Sequence, residues 1–213
     1  MFKQISINQV IKYLILSDLV FWTGWGLITP IFAIFIIERI EGGSVVVVGI
    51  ASAIFWISRS ILRVPMGLFL DKKYGEKDDL WFVVSGFLLA GLVSFGYLIA
   101  SLPWHVFVLQ ALYGLGMAMN VSGWCAIFTR HIDKGKEATE WGLDGTAVGL
   151  GAGIAGALGG FLVSKFGFEP VFIMVGILGI IGGLLPLFIY KKLIVSKKEK
   201  GAPFGSAEPP FPL

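Results

Sequence analysis

Charge is what this chain lacks most. Acidic and basic residues together make up 15% of its 213 residues, where a soluble domain carries about 25%. That shortage, with a mean hydropathy of +0.83, excludes an ordinary water-solvated globule and points to a bilayer as the solvent. Cysteine occurs once, at Cys125 within an apolar run, so no disulfide can form inside the chain. Histidine occurs twice, His105 and His131, expected as isolated residues at opposite membrane faces. There is no metal-ligand cluster, phosphate-cradling glycine loop or nucleophile motif, so the sequence calls for no enzyme, no metal and no cofactor. No selectivity filter or charged ring marks a channel. The net charge of +3 is spread over alternate loops and the tail, which argues against a nucleic-acid partner.

Long apolar runs are abundant. Spans of roughly 20 residues, enough to cross ~30 Å of hydrocarbon, recur. They predict six transmembrane helices over 13–37, 45–70, 80–101, 105–128, 140–164 and 168–190. Residues 1–192 then form one membrane domain, and 193–213 a disordered cytoplasmic tail with four prolines after Gly201. The first run is about 25 residues long, beyond the ~7–15 of a signal-peptide core, and no cleavage site follows it. Of the 17 basic residues, 13 fall in segments that share a side with the N-terminus. The positive-inside rule therefore predicts a multi-pass protein of the cytoplasmic membrane with both termini in the cytoplasm.

One charged stretch interrupts the apolar runs: "GLFLDKKYGEK", residues 67–77. It has an echo in "GFLVSKFG", residues 160–167, at the end of the fifth span. The two copies would face opposite sides of the membrane, as a 3+3 repeat of inverted topology requires.

The first stretch also resembles the signature loop of the major facilitator superfamily, with Gly67, Asp71, Lys72, Gly75 and Lys77 filling the pattern. It departs by one extra residue before Gly75 and by Glu76 where a base is usual. Two further motifs are similar to the family's: "QALYGLGMA" (110–118), with Gln110 in place of an arginine, and "GAGIAGALGG" (151–160), with Gly156 in place of a proline. The resemblance implies an all-α fold like the N-terminal half of a plan that has twelve helices in two six-helix halves. A single half implies a homodimer, a pairing with another half, or a fragment. It further implies that helices one and four line the substrate path, that helices two and five meet the other half, and that Asp71 latches the outward-open state across that boundary.

Four charges fall inside spans: Asp18, Arg59, Arg63 and Asp144. Each costs about 2.5–3.5 kcal/mol to insert, so each calls for a partner or a task. At 1.5 Å per residue, Asp18, Arg63 and Asp144 lie roughly 8, 10 and 6 Å inside the same membrane face. Arg63 is thus expected to pair with Asp18 or Asp144, either as a static ion pair or as a gate, with Asp18 a candidate proton carrier. Trp22, Trp25 and Thr29 follow Asp18 along one stripe, and Gln110, Tyr113, Met117, Asn120 and Trp124 form another. Together they predict an aromatic-walled cavity with few charges, suited to an amphipathic small molecule. Gly145, Gly149, Gly153, Gly156 and Gly160 recur at close-packing spacing, for packing within the unit or for a dimer interface. The functional expectation is a secondary transporter acting by alternating access, proton-coupled and exporting. Lipid, a second copy of the chain, the substrate and a proton are its expected partners. The rival expectation is a non-transporting membrane interaction module or an orphan half.

Overall fold

In the computed structural model, residues 7–72 and 75–193 are described, so Lys73, Tyr74 and the expected tail from residue 194 lie outside the described residues. Six helices are long and apolar enough to cross a membrane: α1 (Gln9–Arg39), α2 (Val45–Lys72), α3 (Glu76–Gly96), α4 (Pro103–His131), α5 (Glu137–Phe166) and α6 (Phe168–Leu193). The described residues contain no strand. Hydropathy places these helices because a lipid-exposed backbone must satisfy its polar groups internally. Their ends follow capping chemistry. Asn8 caps α1, its side chain accepting from Ile11 N at 3.0 Å. Glu76, Asp78 and Asp79 occupy the first turn of α3, while Arg130 and His131 occupy the last turn of α4, matching the helix dipoles. Pro103 opens α4, and Gly167, at φ 81°, turns the chain between α5 and α6. Helix α3 ends at Gly96 rather than at residue 101.

Helix α1 is interrupted by a 3₁₀ turn at Thr29–Ile31. Pro30 cannot donate to the carbonyl one turn back, and the Thr29 hydroxyl donates to the Trp25 carbonyl at 2.7 Å. The break lies at the level of the cavity described below.

Packing follows the repeat. Helices α1, α6, α3 and α4 form a closed ring; α5 lies against α1, and α2 lies against α4. Exchanging α1 with α4, α2 with α5 and α3 with α6 maps this arrangement onto itself, as the inverted repeat demands. The seams match in detail. A Cβ on Gly114 of α4 would lie 2.9 Å from Ser58 Cβ of α2, and one on Gly26 of α1 would lie 2.7 Å from Ala152 Cα of α5; on the same α1–α5 seam, a Cβ on Gly151 would lie 2.5 Å from Thr23 Oγ1. Ion pairs repeat as well, at opposite faces. Arg130, ending α4, pairs with Asp79 in the first turn of α3; Arg39, ending the α1 span, pairs with Glu169 in the first turn of α6 at 3.4 Å.

Large aromatics fill the ring: Phe21 stacks on Phe87 at 4.1 Å, and Phe35, Tyr97 and Phe172 close the opposite end. Burial divides the helices sharply. Within their most apolar windows, α2 and α5 are only 11% buried, against 44% to 56% for the other four. Each outer helix therefore leaves most of its surface uncovered.

Candidate functional site

A cavity of about 380 Å³ opens between α1, α2 and α4. Five of the eight residues expected to bind substrate line it: Trp22, Trp25 and Thr29 from α1, and Gln110 and Tyr113 from α4. The α1 stripe faces it, and Tyr113 is sandwiched between Trp25 (3.9 Å, 18°) and Phe55 of α2 (4.7 Å, 18°). Met117, Asn120 and Trp124 do not line it. Met117 is fully buried, Asn120 Nδ2 donates to the Val83 carbonyl of α3 at 3.5 Å, and Trp124 stacks on Phe128 at 4.4 Å beside Trp141 of α5. The α4 stripe does keep to one face, but the helices in front of it change along its length. A second space of about 580 Å³, between α1 and α5, shares Trp22 and Thr29 and is lined also by Gly153 and Gly156. Phe55 and Trp56 of α2 were not anticipated; their spacing from Arg59, at four and three residues, is the signal that would have found them.

The expected ion pair between Arg63 and Asp18 or Asp144 does not form among the described residues. Arg63 Nη2 instead approaches Cys125 Sγ of α4 at 4.0 Å. Its helix lies against α4, whereas Asp18 and Asp144 belong to the α1–α5 pair. Matching depth put these groups at one level of the membrane and could not give the direction around the bundle. Asp18 is 9% exposed, and it and Asp144 interact electrostatically. Oδ1 of each is buried without a hydrogen-bond partner.

The signature stretch ends α2 and begins α3. Asp71, Lys72 and Lys77 are exposed, Gly67 has open space around it, and Gly75 is the N-cap of α3. Nearby stands a polar network that the sequence reading missed, joining the ends of four helices. Besides Asp79–Arg130, it contains His131 Nε2 with Glu76 at 3.5 Å, so His131 is not isolated. Asn8 Nδ2 donates to the His131 carbonyl at 2.5 Å and to Asp133 Oδ1 at 3.3 Å. Asp133 N donates to Glu140 Oε2 at 3.2 Å. Hydrogen bonds from Lys136 and Asn8 hold the Asp133 carboxyl below its ordinary range.

The glycines of α5 divide by face. A Cβ added at Gly145, Gly149, Gly153 or Gly160 would meet nothing within 4 Å, and one on Gly156 would lie at an ordinary 3.5 Å from the Gly26 carbonyl and from Pro30. The close seam with α1 is made by Gly151 and Gly159 instead, where a Cβ on Gly159 would overlap the Leu27 carbonyl. Packing within the unit therefore does not account for the four open glycines.

Comparison with known proteins agrees with this architecture. The chain is 25% identical over 83% of its length to the uncharacterized MFS-type transporter MJ1560 of Methanocaldococcus jannaschii. It is 33% identical over 59% of its length to MFS-type transporter MJ1317 of the same organism. It is 27% identical over 78% of its length to the inner membrane transport protein YajR of Escherichia coli. The matched parts span 45%, 30% and 36% of those relatives, less than half of each. Residues 14–213 match the Major Facilitator Superfamily. A ring of four membrane-crossing helices flanked by two outer ones, built as an inverted repeat and related to named transporters, makes this chain a member of the Major Facilitator Superfamily.

Proposed function

We propose that the chain is a six-helix unit of a secondary transporter, and that it moves an amphipathic small molecule by alternating access together with a second six-helix unit. The observation that carries this reading is the α1/α2/α4 cavity, set in a unit whose α2 and α5 are mostly uncovered. A cavity walled on one side by a single unit becomes an enclosed path when a second unit closes it. We take the partner to be a second copy of this chain, with the open glycines Gly145, Gly149, Gly153 and Gly160 as part of the contact. Asp71, exposed at the end of α2, then stands where it can reach across to the partner. The protein resides in the cytoplasmic membrane with the basic face, which carries Lys72 and Lys77, toward the cytoplasm.

Asp18 and Asp144 are the residues proposed to couple transport to protons. Asp18 is buried and Asp144 half-buried, each has an oxygen without a hydrogen-bond partner, and neither pairs with a cation among the described residues, which favours sharing a proton over holding two charges. Reconstitution into liposomes tests the function: pH-driven flux of an amphipathic probe is expected, with Asp18→Asn abolishing the pH dependence. Full pH-driven flux in that variant removes Asp18 from the mechanism. Mass measurement in lipid is expected to find two copies, and an invariably single copy overturns the homodimer. The short coverage of the relatives favours a second reading, in which this chain is one half of a longer twelve-helix protein. A single copy without flux would support it.

A further inference from the structure

We propose that the α1/α2/α4 cavity selects small organic anions, an aromatic or apolar body bearing one carboxylate, and that Arg59 is the residue that reads the charge. This rests on the cavity being the transporter's substrate site, and it narrows the amphipathic class to one sign of charge.

The argument begins with what lines the cavity. Arg59 is the single formally charged residue among its lining residues, and no Asp or Glu is among them. The guanidinium has no carboxylate within ion-pair distance among the described residues. Its contacts are faces of aromatic rings, Trp56 at 5.2 Å and Phe55 at 6.0 Å. Such contacts steady a cation and leave its N–H groups unspent. Asp18 and Asp144, the acids of the membrane interior, lie on α1 and α5 and are not among the lining residues. Arg63, one turn further along α2, adds like charge and no compensation. A cation kept at membrane depth without a counter-charge calls for one.

The neutral groups point the same way. Trp25 Nε1, which can only donate, is buried without a partner. Gln110 is 6% exposed and makes no hydrogen bond to the described residues. The wall of one space thus holds a guanidinium, an indole N–H and an amide without partners among the described residues, and of these the guanidinium and the indole can only donate. The walls specify the rest of the ligand. Trp25, Tyr113 and Phe55 form a continuous stack across α1, α4 and α2, so a flat apolar body meets parallel rings. A volume of about 380 Å³ is at the small end of ligand sites. One cation suits a monoanion; a doubly charged phosphate would need a second in the wall, and Arg63 does not line it.

Three probes with one body test the sign: 2-naphthoate, neutral 2-naphthylmethanol and, as its ammonium form, 2-naphthylmethylamine. Binding to the protein in lipid nanodiscs is read by quenching of tryptophan fluorescence, with protein-free nanodiscs correcting for partition into lipid. The naphthoate should bind at least about tenfold tighter than the ammonium, as one charge-assisted hydrogen bond provides. Arg59→Gln should weaken naphthoate about tenfold and leave the alcohol unchanged, and Arg59→Lys should restore most of the preference. Unchanged alcohol binding in the same variant shows that the cavity still folds. Equal or tighter binding of the ammonium, or undiminished naphthoate binding in Arg59→Gln, overturns the charge assignment and leaves the substrate-site reading standing. Failure of all three probes to bind overturns both.

Discussion

The two ion pairs related by the inverted repeat should differ greatly in worth, because one is buried and the other is not. Asp79 is 1% exposed in its side chain and its partner Arg130 39%, whereas Arg39 and Glu169 are 48% and 54% exposed. Arg130→Gln strands a buried carboxylate whose other oxygen, Oδ1, already has no partner. Removing one member of a buried pair costs about 3–5 kcal/mol, and the half-open guanidinium puts this case at the lower end, about 3. Arg39→Gln breaks a pair that water already screens and should cost about 0–1 kcal/mol. The diagnostic step is Asp79→Asn added to Arg130→Gln. It removes the stranded charge, so the double variant should regain most of the loss and end within about 1 kcal/mol of the parent. Thermal unfolding in detergent micelles, followed by tryptophan fluorescence, reads these differences. At about 2–4 °C per kcal/mol for a chain of this size, Arg130→Gln should melt about 6–12 °C lower and Arg39→Gln at most about 4 °C lower. Equal losses from the two arginine variants, or no recovery in the double variant, would refute the claim that burial sets the difference.

Three further outcomes follow from the geometry. Gly159→Val should destabilise by about 1–3 kcal/mol or more, because the added side chain meets the Leu27 carbonyl, while the neighbouring Gly160→Val should change unfolding by less than about 0.5 kcal/mol in a monomeric preparation; similar melting curves would sink the seam assignment. Asp133 has a depressed carboxyl pKa in the folded protein, so its contribution is present above the ordinary carboxylate value and is lost as pH falls through the lower, folded one. Asp133→Asn should accordingly flatten the fall in melting temperature between about pH 4 and pH 2, and an unchanged slope would refute it. Thr29→Val removes the hydroxyl that donates to the Trp25 carbonyl beside the Pro30 break, and should cost about 0.5–1.5 kcal/mol without displacing the cavity's aromatic stack, checked by near-UV circular dichroism.

The fold was legible because a bilayer translates thickness into run length, and six runs leave little freedom of architecture. The least legible helix end was that of α3. Tyr97 to Ala100 continue the apolar run after the helix stops, and Ile99 is 83% exposed within the turn, so hydropathy saw no boundary. The site was legible along the membrane normal and poorly legible around it. Depth placed Arg63 level with Asp18, but α2 leans on α4, so Arg63 meets Cys125 rather than an acid. The same loss of direction explains Met117, Asn120 and Trp124. Their 3.6-residue period marks a shared face and is silent about which helix comes to cover it. Asp79 and Arg130 passed unnoticed because charges at the ends of spans are the ordinary case. Only the crossing of α3 and α4 shows that they touch.

The ring-and-flank arrangement has a mechanical consequence. Along most of their lengths α2 and α5 are gripped by one neighbour each, and the seams run along small residues, Ser58 on Gly114 and Thr23 on Gly151. Bulky side chains interlock, and a helix held by them must lift to move. A helix seated on small residues can slide or roll by fractions of a turn while its backbone stays in contact. Seams of this kind would let the two flanking helices shift more readily than the four-helix frame they lean on. One flanking helix carries Arg59, Trp56 and Phe55 on the cavity wall, so a shift of α2 by an ångström changes the shape of the space it bounds while the frame stays still.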